Sequence, residues 1–152
     1  MKKLFTALAT SIILILSTPA IAETSAHSQQ IECLARNAYF EARGEGRAGI
    51  EAVTHVVINR TKQPKWPSTP CGVIYQRSRG SCQFSWVCTR NSIRDQRLYS
   101  YCRDLVTRIY MERPYDPTRG ATFFHGVSVP GYWFRNNLRV TYRSGGHIFY
   151  RD

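Results

Sequence analysis

Apolar residues Ile31, Leu34, Ala35, Ala38 and Tyr39 recur at i, i+3, i+4, i+7 and i+8, the stripe of a helix laid on a core. Gly44 supplies its stop. A second helix is predicted from about Ala48 to Thr61, with Ile50, Val53, Val57 and Ile58 on one face and Pro64 and Pro67 beyond its end. Thr69 can cap a short helix through Val73, Ile74 and Tyr75, and Ser78 to Ser81 reads as a loop. Ser92 is the expected cap of a long helix ending near Arg113, before Pro114. Its stripe is Leu98, Cys102, Leu105, Val106 and Ile109, with Arg94, Arg97, Arg103 and Arg108 outward.

After the turn-rich stretch from Met111 to Gly120 the pattern changes to short β-branched and aromatic runs. Ala121 to His125 reads as a strand, and Pro130 to Arg135 as a bend carrying Tyr132 and Trp133. Leu138 to Arg143 and His147 to Arg151 flank Ser144-Gly145-Gly146 as a β-hairpin. The expected fold class is α+β, a mainly helical core with a small antiparallel β-sheet near the C-terminus.

Met1 to Ala22 has Lys2 and Lys3, an apolar run from Leu4 to about Leu16, and a small-x-small Ala20-Ile21-Ala22 site, the marks of a signal peptide. Residues 23–152 are then one exported domain, periplasmic or secreted, with no later apolar run of membrane-spanning length. Without Lys2 and Lys3, 19 basic residues face 10 acidic ones. That surface suits a polyanion, for an exported protein peptidoglycan with its peptide carboxylates, teichoic acid, lipopolysaccharide or extracellular nucleic acid, although it is also what a merely solvated basic face looks like. No dense basic run marks a nucleic-acid arm, so no nucleic-acid partner is expected. A monomer is the expectation, and an activating partner is left open.

Export favours disulfides among Cys33, Cys71, Cys82, Cys88 and Cys102, and the odd count leaves one thiol over. Spacing does not fix the pairing; Cys71 with Cys82 is preferred because the Gly80-containing loop can bring them together. Zinc is disfavoured, since neither C-x-x-C nor H-x-x-x-H spacing occurs, and no cofactor is expected.

Glu41 ends the first apolar stripe. The negative end of the helix dipole and partial burial both disfavour its charged form, as a general acid requires. Arg43 and Arg47 pull the other way, and position alone fits a solvated helix-end carboxylate better than a catalytic acid.

Four stretches add to this: Leu34 to Glu45, Val56 to Arg60, Cys71 to Gln76, and Gly120 to His125 with His147 to Arg151. Together they resemble the cell wall hydrolase family that includes SleB-type spore cortex-lytic enzymes. The resemblance implies a compact lysozyme-like domain that cleaves peptidoglycan glycan strands, with the first Glu of Glu-Ala-Arg-Gly-Glu, here Glu41, as the catalytic acid. It also sets Cys82 to Trp86 beside the substrate cleft. Gln83 and Ser85 are then candidates for hydrogen bonds to N-acetyl or hydroxyl groups, and Phe84 or Trp86 for stacking on a sugar. The same alternation fits a half-buried strand with no binding role. Tyr75, His125 and Tyr150 either line the cleft or pack in the core, and Trp66 either stacks on sugar or caps the core. His55 reads as a packed helix residue, and Asn59 and Arg60 as structural or beside the cleft.

Glycoside hydrolysis ordinarily places two carboxyl groups roughly 5 to 9.5 Å apart on opposite sides of the scissile bond. Glu41 and Glu45 would instead project from one wall, so Glu45 is expected to be structural, pairing with Arg43 or Arg47. Glu51, Asp95, Asp104, Glu112 and Asp116 fall on outer faces or turns. A lytic transglycosylase needs only one carboxylate, and the resemblance points the same way. The alternatives are a water-using muramidase or glucosaminidase and a non-catalytic basic peptidoglycan-binding module; an amidase or peptidase lacks a metal set or nucleophile pair.

Overall fold

The computed structural model describes residues 19–89, 91–129 and 137–152. The expected leader lies outside the described residues except for its last four, which begin helix α1 (Pro19–Ala42). The expected bend with Tyr132 and Trp133 also lies outside them. The remaining helices are α2 (Gly46–Thr61), α3 (Pro70–Ile74), α4 (Ser85–Cys88) and α5 (Gln96–Glu112). Strands β1 (Arg77–Ser78) and β2 (Ser81–Cys82) form one hairpin, and β3 (Phe123–Gly126), β4 (Arg139–Ser144) and β5 (His147–Arg151) form a second sheet.

Helix α2 is the centre of the molecule. Sequence periodicity gives it one apolar face, but Thr54, His55, Asn59 and Arg60 are buried as well. The reason is tertiary: α1, α3 and α5 pack around it, with β3 and β4 alongside. A helix covered on several sides must satisfy its polar groups internally. Thr54 donates to the Ile50 carbonyl at 2.7 Å, and Asn59 Nδ2 reaches Asp116 Oδ2 at 2.8 Å and the Ala121 carbonyl at 3.1 Å.

Helix α5 is the amphipathic outer helix the pattern predicts, burying Cys102, Leu105, Val106 and Ile109. Its cap is Asp95 rather than Ser92: the Asp95 side chain accepts the Leu98 N–H at 2.9 Å, so the helix starts three residues later than expected. The expected loop from Ser78 to Ser81 is a tight hairpin, turning through Arg79 and Gly80 at φ of 48° and 82°. Positive φ at both central residues is the geometry that two-residue hairpin turns demand.

In the larger sheet β5 is central and antiparallel to both neighbours, in the order β3-β5-β4. Phe149, fully buried on β5, carries the sheet's contribution to the core.

Two disulfides form, Cys33–Cys71 and Cys82–Cys88, and the preferred Cys71–Cys82 pairing does not. Cys71 enters α3, which packs on α1 and brings its Cα to 5.3 Å from that of Cys33. The β1–β2 hairpin carries Cys82 toward α4 instead, where Cys88 is 5.9 Å away. Cys102 is the free thiol, buried in the core, where burial pushes it up to about 11.

Candidate active site

The last turn of α1 presents Glu41 to a cleft of about 400 Å³. Its lining is Phe40, Glu41 and Arg43 from the end of α1, Ser85 and Trp86 from α4, and Asn91, Ser92 and Arg94 from the segment before α5. The aromatic wall is fixed from below. Trp86 stacks on Phe40 at 4.9 Å, and its indole N–H donates to the buried Asn37 Oδ1 at 2.9 Å. One turn of α1 therefore holds both the acid and the wall beside it.

Burial raises the Glu41 carboxyl to about 7, with the Arg60 charge acting against the rise. Arg60 is 4% exposed, and its Nε donates to the Thr122 carbonyl at 2.7 Å. Its guanidinium carbon lies 4.4 Å from the Trp66 ring centre and 5.4 Å from that of Phe84. Burial lowers Arg60 to about 10, and the neighbouring Glu41 partly offsets this. No ion pair within 4 Å joins Glu41 to Arg60, and the Arg60 Nη1 has no hydrogen-bond partner in the protein. Glu41 thus sits where a proton is held near neutral pH and a buried cation favours its release.

The residues singled out in the sequence are distributed unevenly. Ser85 is exposed on the cleft with Glu41, and Tyr75, 43% exposed, meets the Trp86 ring edge-on at 6.0 Å. Phe84 is 4% exposed, packed toward Phe124 and Arg60, so its ring does not face the cleft. Gln83 is half-buried, its N–H donating to the Gln76 carbonyl, and does not line the Glu41 cleft. His125 and Tyr150 are buried partners on β3 and β5, with rings 5.4 Å apart and Nε2 2.7 Å from the hydroxyl. They too are not part of the Glu41 cleft lining. Trp66 covers Arg60 and meets Phe123 edge-on.

Glu45 departs from its expected pairing. Arg47 pairs with Glu51 at 2.7 Å, whereas Glu45 Oε2 accepts the Gly146 N–H at 2.5 Å and lies 3.8 Å from His147 Nδ1. The residue at the start of α2 is thereby latched to the β4–β5 turn. A Cβ on Gly49 or on Gly145 would collide with the Glu45 side chain, so glycine at both positions is what lets the carboxylate fit. Asp116, expected on an outer turn, is a half-buried knot. Burial raises its carboxyl, but hydrogen bonds from Thr118, Asn59 and the Gly120 and Thr118 N–H groups outweigh this and hold it below the ordinary value. His55 lies 3.6 Å from Asp116 and is lowered by burial.

Asn91, Ser92 and Arg94 were not legible as parts of one site from spacing. Arg60 was read as structural or beside the cleft from the Val56 to Arg60 stretch of the resemblance, and it lies behind the cleft, close enough for its charge to act on Glu41. Among the described residues no group of three His, Cys, Asp or Glu side chains is arranged to hold a metal.

The class this defines is a lysozyme-like α+β domain with a helix-end carboxylate over a cleft. The catalytic domain of Bacillus cereus SleB matches it with a TM-score of 0.60 at 23% identity, over 82% of this chain and 91% of that one. The catalytic domain of the germination-specific lytic transglycosylase SleB from Bacillus anthracis matches with 0.57 at 24% identity, over 80% and 93%. The sequence profile of the cell wall hydrolase family fits residues 44–150, and the chain belongs to that family. Among its relatives, the spore cortex-lytic enzyme of Halalkalibacterium halodurans is 29% identical over 124 residues, 78% of this chain and 34% of the relative. That of Bacillus subtilis is 26% identical over 127 residues, 80% and 37%. The chain spans about a third of the length of these curated relatives. Glu41 lies just before the span that the family profile fits.

Proposed function

We propose that this domain cleaves the glycan strands of peptidoglycan as a lytic transglycosylase, with Glu41 as the one carboxyl group that acts on the MurNAc–GlcNAc bond. The observation that carries this reading is the placement of the other carboxylates. Glu32 accepts from Tyr99, Glu45 from Gly146 and Glu51 from Arg47; Asp95 caps α5, Asp116 is knotted to Asn59, and Asp152 pairs with Lys65. Glu23, Asp104 and Glu112 lie on other surfaces, and among the described residues Glu41 is the only acid lining its cleft.

A single acid suffices when the nucleophile belongs to the substrate. The protonated Glu41 gives its proton to the glycosidic oxygen as the C1–O bond breaks, and the N-acetyl oxygen can stabilise the positive C1. The resulting carboxylate then takes the proton of the C6 hydroxyl, whose oxygen closes on C1 to form a 1,6-anhydro ring. The proton count returns to its start and no water is consumed. A carboxyl held near 7 can serve in both directions, as acid and as base.

The leader pattern and two disulfides support action outside the cytoplasm. Glu41→Gln should leave the far-ultraviolet circular dichroism unchanged and reduce muropeptide release from purified sacculi by at least about 10²-fold. Wild-type release by that variant would defeat the assignment.

A further inference from the structure

The cleft holds a second feature that acid catalysis does not use. Arg43, just past the end of α1, and Arg94, on the segment before α5, converge on it from two elements far apart in sequence. The Tyr39 hydroxyl organises both. It accepts the backbone N–H groups of Arg94 and Asp95, each at 3.2 Å, fixing that segment against α1. Those backbone donors, with the Arg43 side chain also bearing on the hydroxyl, draw the phenol below its ordinary value despite burial.

Both arginines are exposed, and neither forms an ion pair with any of the ten carboxylates of the chain, Glu41 included. Unpaired arginines are common on so basic a protein. What distinguishes this pair is that it shares one cleft with the acid and with the neutral donors Ser85, Asn91 and Ser92. Planar guanidinium groups beside hydroxyl and amide donors match the geometry of a carboxylate.

We infer that Arg43 and Arg94 form an anionic subsite beside Glu41 that recognises a carboxylate carried by the muramoyl residue. In a peptidoglycan strand the sugar rings themselves are uncharged. Carboxylates enter through the lactyl ether of the muramoyl sugar, either as the free lactyl group or along the peptide attached to it. A strand whose scissile bond lies at Glu41 brings that side chain within the same cleft. The pair therefore makes substrate choice depend on charge at the muramoyl position, while the aromatic wall of Phe40 and Trp86 contacts the sugar. This rests on the glycan-cleaving reading above, and it deepens that reading by naming what the site selects.

Binding tests it separately from cleavage. The Glu41→Gln protein is titrated calorimetrically with three glycan oligosaccharides: peptide-bearing, stripped to the free lactyl carboxylate, and stripped with the carboxylates converted to neutral methylamides. At least one carboxylate-bearing form should bind about tenfold or more tightly than the neutral form. The favoured form identifies the source of the carboxylate. Adding Arg43→Gln and Arg94→Gln should bring that ratio close to one. Adding Arg103→Gln and Arg108→Gln removes the same charge from the outer face of α5 and should preserve it. Arg43→Lys with Arg94→Lys, keeping charge without the fork, should fall between. Thermal transitions confirm that each variant is folded.

A ratio that survives in the Arg43→Gln, Arg94→Gln protein, or that collapses equally in the outer-face pair, would overturn the subsite. If the Glu41→Gln protein still cleaves the strands, the acid assignment fails while the binding ratio continues to judge the arginine pair.

Discussion

Glu41 is held near 7 against an ordinary carboxyl value of 4.5, and that difference has a sign that stability can read. Below pH 4.5 the group is protonated whether the chain is folded or not, so it imposes no penalty. As pH rises from there through 7, the unfolded chain gives up the proton first and the native state loses stability, on the order of 2 kcal/mol for a partly exposed group. Glu41→Gln should therefore melt at the same temperature as wild type near pH 4 and at a higher temperature at pH 8. Equal melting at both pH values would mean that the carboxyl is not perturbed in the fold. Activity should decline as pH passes through about 7, because the proton donor is then lost. Glu41 could be picked out in the sequence because it ends an apolar stripe and fits the Glu-Ala-Arg-Gly-Glu pattern. The Arg60 environment could not, since Thr122, Trp66 and Phe84 come from three other parts of the chain. No local spacing encodes such a meeting.

At the scale of elements, the junction of α1 and α2 is tied to the β4–β5 turn by Glu45. Glu45→Gln keeps an oxygen to accept the Gly146 N–H and should retain substantial activity. Glu45→Ala leaves that N–H without its acceptor and should cost about 1 to 3 kcal/mol in chemical denaturation. If alanine is as stable as wild type, the latch contributes nothing. The β4–β5 hairpin was plain in the sequence because Ser144-Gly145-Gly146 separates two alternating runs. The partner chosen by Glu45 was not, because Gly145 and Gly146 meet it across 101 residues of sequence, where Arg43 and Arg47 were the local choices. The cap of α5 went astray for a related reason. Ser92 and Asp95 are both good caps, and Asp95 wins where the Arg94–Asp95 backbone docks on the Tyr39 hydroxyl.

In the whole molecule, helical core, small sheet and disulfides hold the acid-bearing end of α1 against α4 and the segment before α5. The Cys33–Cys71 bridge spans 38 residues and joins α1 to α3, while Cys82–Cys88 spans 6. Loop-closure entropy assigns the longer loop about 4 kcal/mol and the shorter about 2 kcal/mol. Replacing Cys33 and Cys71 by serine should lower the thermal midpoint more than replacing Cys82 and Cys88. The reverse order would show that the short bridge, by shaping α4 and Trp86, matters more than loop closure. The α+β class followed from the hydrophobic pattern, whereas the disulfide pairing depended on how α3 packs on α1, which periodicity does not report.

Mass spectrometry of the soluble products released from purified peptidoglycan reads whether one carboxyl group works with a nucleophile supplied by the substrate. Muropeptides lighter by one water than their hydrolysed counterparts, and unchanged by borohydride, are the expected result. Products with reducible ends, heavier by that water, would contradict it and require an activated water and a second group to hold it.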